Sequence, residues 1–431
     1  MEEESYRYAQ DVNYTLVDKL KIAAQEAALK TRHNMEKWGF REITGSRGES
    51  CYLFEYHGNL PVIFGFTVEG LGTKNLAMDT FKEQLELVCE ALQSRRLYGK
   101  HKCRQARTVF TPDAYDDVYF EWANLNSTVS PYFNAAIDTI MMIALDMMSQ
   151  GIQPAVLGLH YAVGASEWFK KEEHISDYCR GMVTACNEIG CTLGPGETPV
   201  LTDEIYGNTS VMDGSGVGVL LAKEWILGQN IKPDNVIWLV ESTGLQANYL
   251  SGARRLAEKL PAGYLTTLSD GTLFGSALSK TTDTRYIKFI RRLIESGVKT
   301  NYIIPITGHG LRKIMRACQP FTYRLTTLAP LSPLFRFMVE GLNLKGKAGA
   351  EEAMGGMNLG QGLALITDND EQTTEQVMKL GKEVFGQYGK VWRGGVVEDG
   401  PRQVIIEHPD PIFKVDGEII FAEDSMKIRA K

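Results

Sequence analysis

The sequence predicts a two-domain protein in which strands and helices alternate. Three observations carry this expectation. The chain has 431 residues, 44% of them hydrophobic, which is enough to fill two cores. It contains 42 glycines, in keeping with many tight turns between elements. Apolar runs of strand length alternate with segments of helical period.

Taken in order, residues 12–37 show apolar positions at three- and four-residue spacing and predict a helix. A loop bearing glycine and serine, GFREITGSRGESCYLFEY, runs into a strand, and LPVIFGFTVEG follows as another. Helices are expected from Lys74 to Glu90 and from Tyr132 to Gln150. Between them YGKHKCRQARTVFTPDAYDDVYFEWANLNSTVS has no clear period and is set apart as an insertion near 97–131. PAVLGLHYAVG reads as a strand, EEHISDYCRGMVTACNEIG as an amphipathic helix, and SGVGVLLA as the strand closing the first half. GQNIKPDN gathers Gly, Asn, Pro and Asp and marks a boundary, giving domains of 1–230 and 231–431. The second half opens with the strand VIWLVES and the helix NYLSGARRLAEKL. The helix TRYIKFIRRLIESG, the glycine turn ITGHGLRKI, the segment MGGMNLGQGLALIT and a helix near EQTTEQVMKLGKEVFGQYG come next. The strands KVWRGGVVE and RQVIIEH finish it.

Composition excludes several classes. The net charge is -7, and no Lys/Arg block interleaves with aromatics, which argues against a nucleic-acid partner. The start, MEEESYRYAQ, is acidic and does not read as a signal peptide. No apolar run nears the ~18 residues that span a membrane. DTIMMIALDMM is interrupted by Asp146 and reads as a buried helix. The seven cysteines are odd in number and form no CxxC, which suits reduced thiols and a cytoplasmic location. No HExxH or His/Cys cluster suggests a transition metal.

Four separated stretches carry candidate chemistry. In FTVEGLGTK, Glu69, Gly70, Gly72, Thr73 and Lys74 directly follow a strand. Glycine lets backbone approach a ligand, lysine suits phosphate, and a carboxylate suits magnesium. The spacing is not that of a Walker P-loop, which has four residues between Gly and Gly-Lys. Asp138 and Asp146 lie eight residues apart on a helix, about 80° around it, so both can point toward one side. Glu197 follows two glycines in GCTLGPGETP, and Ser242, Thr243 and Gly244 end a strand before Asn248. Singly, each fits a cap, a turn or helix-terminal charge. Together they suggest one phosphate and metal chemistry.

In this order the stretches resemble the aminoimidazole ribonucleotide synthetase family, also called phosphoribosylformylglycinamidine cyclo-ligase. Its wider superfamily includes selenophosphate synthetase and thiamine-monophosphate kinase. Glu69 to Lys74 match the family's Asp-Gly-Val-Gly-Thr-Lys motif, and Ala136 to Asp138 its Gly-Ile-Asp helix. Leu145 and Asp146 match an Asn-Asp pair, Gln150 to Pro154 a Gln-Gly-Ala-Glu-Pro turn, and Pro195 to Thr198 a Gly-Gly-Glu-Thr motif. Ser242 to Asn248 match a strand-end Ser-Ser-Gly-x-His-Ser-Asn, and Thr307 to Gly310 a Thr-Gly-Gly-Gly turn. The resemblance runs from about Tyr6 to Glu407, with the insertion outside it.

The resemblance implies an α+β fold of two α+β domains. The N-terminal sheet would pair across a homodimer into a barrel-like core, beside a C-terminal mixed sheet with flanking helices. It implies ATP and Mg2+ as cofactors and a small-molecule nucleotide substrate. ATP would phosphorylate an amide oxygen of formylglycinamidine ribonucleotide, and an internal nitrogen would displace phosphate to close an imidazole ring. ITGSRGES would lie over the nucleotide. Glu69, Asp138 and Glu197 would hold the metal. Gly70, Gly72, Thr73, Lys74, Gly196 and Thr198 would bind the nucleotide, and Lys74, Asp138, Gln246 and Asn248 would serve the chemistry.

Four positions depart from the family pattern. Glu69 replaces an aspartate, Leu145 an asparagine, Gln246 a histidine and His309 a glycine. They bear on the acceptor more than on the nucleotide. Two other readings stay open: a phosphorylating enzyme of the superfamily with another acceptor, and a weakened homologue binding a nucleotide or partner as a regulatory module. Cys51 lies near the glycine-bearing stretch where selenophosphate synthetases carry a reactive residue, but its place beside a strand reads as core.

Overall fold

A computed structural model describes residues 36, 39–46, 49–58, 61–98, 130–170, 172–386 and 391–426. The helix expected over 12–37 and most of the insertion near 97–131 lie outside them. The first sheet holds β1 (Phe40–Glu42), β2 (Tyr52–His57), β3 (Pro61–Gly70), β4 (Ile152–Val163), β5 (Thr192–Glu197) and β6 (Ser210–Leu220). Their spatial order is β1-β2-β3-β6-β4-β5, antiparallel except for the parallel β4–β5 pair at the edge. The Gly-Glu-Thr stretch thus begins on an edge strand.

Three helices accompany this sheet: α1 (Lys74–Tyr98), α2 (Pro131–Ser149) and α3 (Glu172–Ile189). Ser130 caps α2 by accepting the Phe133 N–H at 3.3 Å, and Pro131 supplies a first-turn residue that needs no N–H partner. The helix is buried almost all round, as its apolar sequence implies. Glycines on β6 make room for it. A Cβ at Gly216 would lie 2.7 Å from Ile143, and one at Gly218 would lie 2.8 Å from the Met147 methyl. The opposite face of the sheet is apolar and open. Phe66, Val68, Val156, Val217 and Val219 are exposed there, with Phe66 opposite Val217 in register.

The second sheet contains β7 (Val236–Glu241), β8 (Thr300–Pro305), β9 (Thr322–Leu325), β10 (Gln361–Thr367), β11 (Val391–Glu398), β12 (Gln403–Ile406) and β13 (Ile419–Ala422). Its order is β13-β12-β9-β11-β7-β10-β8, mixed because β12 runs parallel to β9. Helices α4 (Leu250–Lys259), α5 (Phe274–Ser279), α6 (Arg285–Glu295), α7 (Pro333–Gly341), α8 (Gly346–Gly356) and α9 (Glu371–Phe385) flank it. β7 and β10 are covered on both faces, which is why they read as continuous apolar runs.

Each face of this sheet takes a helix from the first half. On one, Trp238, Val240 and Leu365 pack with Phe289, Val377 and the α2 residues Ile140 and Met147. On the other, Ile237, Leu239 and Ile366 pack with Phe335 and the α1 residues Phe81 and Leu85. The stretch DPIFKVDGEIIFAEDSM adds β13 at the sheet edge and buries Phe413, Ile419 and Phe421. No helix among the described residues is long and apolar enough to cross a membrane.

Candidate active site

β3 ends in Glu69 and Gly70, and the chain turns through Gly72 and Thr73 into α1. Gly72 has φ 66°, in the left-handed region, and nothing lies within 4 Å of where its Cβ would be. The backbone there is open to a ligand. Thr73 Oγ1 lies 3.5 Å from the Ser251 hydroxyl at the start of α4.

Lys74 turns the other way. It is fully buried and donates to the Asp138 carboxylate, to the Gln246 carbonyl at 3.1 Å and to the Lys280 carbonyl at 2.9 Å. Its three protons have three protein acceptors. Asp138 is equally engaged, because its second oxygen accepts from Thr282 N–H at 2.7 Å and Thr282 Oγ1 at 2.8 Å. The structure therefore brings Lys74 and Asp138 together on each other. The pair ties the first turn of α1, the middle of α2 and two loops of the second half into one buried knot.

Gln246 belongs to this knot through its backbone. It adopts φ 62°, is 2% exposed, and sets its amide 3.5 Å from the Tyr286 hydroxyl. Burial keeps that amide from the open surface where an acceptor would arrive. Asn248 is half-buried on the same turn. Ser242 Oγ donates to the Gly244 carbonyl at 3.0 Å, and Asn358 braces that carbonyl at 2.9 Å.

Glu69 meets a different aspartate. Its carboxyl faces Asp146, and burial pushes it up to about 8, helped by the charge and hydrogen bond of Asp146 and opposed by Lys313 and Arg316. Lys313 and Arg316 come from the short 3-10 helix Gly310–Arg316 of the second half. At i and i+3 they eclipse in such a helix, so both cations face one side. Lys313 is 4% exposed and donates to Thr307 Oγ1. Burial holds its ammonium below the usual lysine value, against the pull of Asp146 and with the push of Arg316. Two carboxylates and two cations thus meet at the seam between the halves.

This donor set fits magnesium. Glu69 and Asp146 set two carboxyls side by side, where a divalent ion can bind. Magnesium takes one or two carboxylates and completes its shell with water and phosphate oxygens. Among the described residues no group of three or more His, Cys, Asp and Glu stands ready to hold a metal alone, so phosphate oxygens or water would supply the rest.

Glu197, Gly196 and Thr198 lie elsewhere. Glu197 is exposed, and its Oε1 accepts the Thr198 N–H at 3.2 Å. Gly70 pairs with Asp213, Asp213 with His160, and His160 with Glu197 across the sheet. Three strand spacings, about 14 Å, separate Gly70 from Glu197. Within one chain Glu197 cannot share an ion with Glu69.

Sequence reasoning noticed Asp146 but left it out of the metal set, and it passed over Lys313 and Arg316. Their signal was present, as two cations three residues apart after ITGHG. His309 has φ 71°, the left-handed conformation that a glycine takes freely, so the departure at this position costs backbone freedom. Asp79 was also missed. It is buried on α1 and accepts from Tyr132 at 3.0 Å and Thr209 at 2.5 Å. Cys51 is fully buried, and burial pushes its thiol far up, so it is no ready nucleophile.

Residues 103–220 match the family described as AIR synthase related protein, N-terminal domain. The match starts inside the stretch that lacked sequence period. Curated relatives named phosphoribosylformylglycinamidine cyclo-ligase align over much of the chain. That of Carboxydothermus hydrogenoformans is 28% identical over 280 residues, 64% of this chain and 77% of that one. That of Methanococcus maripaludis is 29% identical over 264 residues, covering 61% and 70%. Among solved structures, a hydrogenase maturation protein HypE aligns with a TM-score of 0.49 at 15% identity, covering 68% of this chain and 85% of that one. Over residues 103–220 the chain thus matches the AIR synthase related N-terminal domain, and over about 60% of its length it is similar to phosphoribosylformylglycinamidine cyclo-ligases.

Proposed function

We propose that the protein is an ATP-dependent cyclo-ligase that converts formylglycinamidine ribonucleotide to aminoimidazole ribonucleotide in purine synthesis. The names of its curated relatives support the reaction. The observation that carries it is the meeting of Glu69 and Asp146 with Lys313 and Arg316 where the two halves join. Phosphoryl transfer needs that combination, because charge spreads over the transferred group in the transition state.

A bound magnesium would supply positive charge to offset that of the phosphate oxygens. Glu69 and Asp146 would hold it. Lys313 and Arg316 supply fixed positive charge beside the phosphates. Gly70, Gly72 and Thr73 offer backbone at an open turn. Asn248 presents an amide to orient the acceptor, while Gln246 positions Lys74 through its carbonyl. The γ-phosphoryl group passes to the amide oxygen of the acceptor. The internal nitrogen then attacks that carbon, and phosphate leaves with the oxygen as the ring closes. In the same reading the enzyme is cytoplasmic, divides near residues 230 and 231, and pairs the apolar outer face of its first sheet with that of a second copy.

The experiment is ADP release against magnesium concentration, with formylglycinamidine ribonucleotide as acceptor. Glu69→Gln and Asp146→Asn are expected to lose most turnover and to need roughly tenfold more magnesium. Glu69→Asp is expected to keep part of the activity, since the charge survives. A Glu69→Gln protein that titrates like the parent would remove the metal role.

A further inference from the structure

Helix α3 ends in a turn that sets two cysteines side by side. Gly190 has φ 78°, the left-handed conformation that commonly terminates helices. Its N–H and that of Cys191 both donate to the Cys186 carbonyl, at 2.8 and 3.0 Å. The second bond spans six residues, as in a Schellman turn. Such a turn brings the side chain three before the cap against the one two beyond it, usually as an apolar pair. Here the two are Cys186 and Cys191, the positions that the turn sets against each other.

The turn is held from outside. Arg291 donates to the Ile189 carbonyl and also to Gln153 Oε1 at 2.8 and 3.1 Å. Gln153 donates to the same Ile189 carbonyl at 3.3 Å. Cys186 is 5% exposed, and Cys191 is half-buried. One thiol is reachable and its neighbour is enclosed, as suits an attacking and a resolving cysteine.

We infer that Cys186 and Cys191 form a reversible dithiol–disulfide site at the end of α3. The co-reactant is a small-molecule disulfide such as oxidised glutathione. The Cys191 thiolate attacks one of its sulfurs, a mixed disulfide forms, and one small thiolate leaves. Cys186 gives up its proton and attacks the Cys191 sulfur, so the protein disulfide forms and the second small thiolate leaves. Two protein thiols are oxidised and the reagent disulfide is reduced to two thiols. The backbone turn sets the two positions side by side at the end of α3. β5 starts at the next residue, Thr192, and carries Gly196 and Glu197.

The test uses the full chain equilibrated with mixtures of oxidised and reduced glutathione, then alkylated and mapped by mass spectrometry. Cys186 and Cys191 lie together between Arg180 and Lys223, within one tryptic peptide. That peptide is expected to lose about 2 Da on oxidation and to regain it with dithiothreitol. Cys186→Ser should stop at the glutathione adduct on Cys191. Phenylarsine oxide, which bridges paired thiols, should add at this site in the parent and in neither Cys186→Ser nor Cys191→Ser. A parent that keeps a mixed disulfide on Cys191 without closing would overturn the inference. So would arsenical addition at this site in either serine variant. If a variant fails to fold, the peptide map of the parent decides alone.

Discussion

Lys74 has three ammonium protons and three protein acceptors, and it has no exposure to water. Removing it leaves Asp138 as a buried charge without its counter-ion, which typically costs about 3–5 kcal/mol. Lys74→Met is therefore expected to lose about that much stability in urea denaturation. Pairing it with Asp138→Asn should restore part of the loss, because the amide oxygen still accepts from Thr282. A Lys74→Met protein of parental stability that no longer uses ATP would return Lys74 to the phosphate. The sequence could place Asp138 and Asp146 on one helix, about 12 Å apart along its axis. It could not say which aspartate meets a lysine and which meets a carboxylate. Those partners, Lys74 and Thr282 for one, Glu69 and Lys313 for the other, come from distant parts of the chain and are set by how the two halves dock.

Elements with strong periodicity were legible. The Tyr132 to Gln150 helix, the strand VIWLVES and the helix TRYIKFIRRLIESG lie within a residue or two of α2, β7 and α6. The pieces that escaped are short or carry contrary signals. β9 has four residues, and α8 contains Gly346, Gly349, Gly355 and Gly356, which tertiary packing overrides. Asp79 shows how elements are joined where sequence is silent. It links α1 to Tyr132 on α2 and to Thr209 before β6. Burial raises its carboxyl from the ordinary 3.8 to about 6, against the hydrogen bonds that favour the anion. The folded chain keeps this proton between about pH 4 and 6 while the unfolded chain releases it. The contribution is full below about pH 4 and lost as pH rises through 6. Relative to Asp79→Asn, the parent should lose up to about 2–3 kcal/mol across that window. Urea midpoints at several pH values check this, and parallel profiles for the two proteins would refute it.

At the scale of the whole molecule, the first sheet buries one face against α2 and leaves Phe66, Val68, Val217 and Val219 open on the other. An exposed apolar sheet face of this breadth calls for a partner. A second copy would match it by symmetry, since a two-fold interface is self-complementary. Light scattering should give twice the 48.0 kDa chain at micromolar concentration, and Val68→Asp should shift the protein toward the monomer. A strict monomer in the parent would contradict this. The central claim is ring closure, and it is tested most directly by its product. The purified protein is incubated with ATP, magnesium and formylglycinamidine ribonucleotide, and aminoimidazole ribonucleotide and ADP are measured together. The account expects equal amounts of the two, with neither formed when the acceptor is left out. ADP without the imidazole product, or no turnover from a protein that binds ATP, would contradict it.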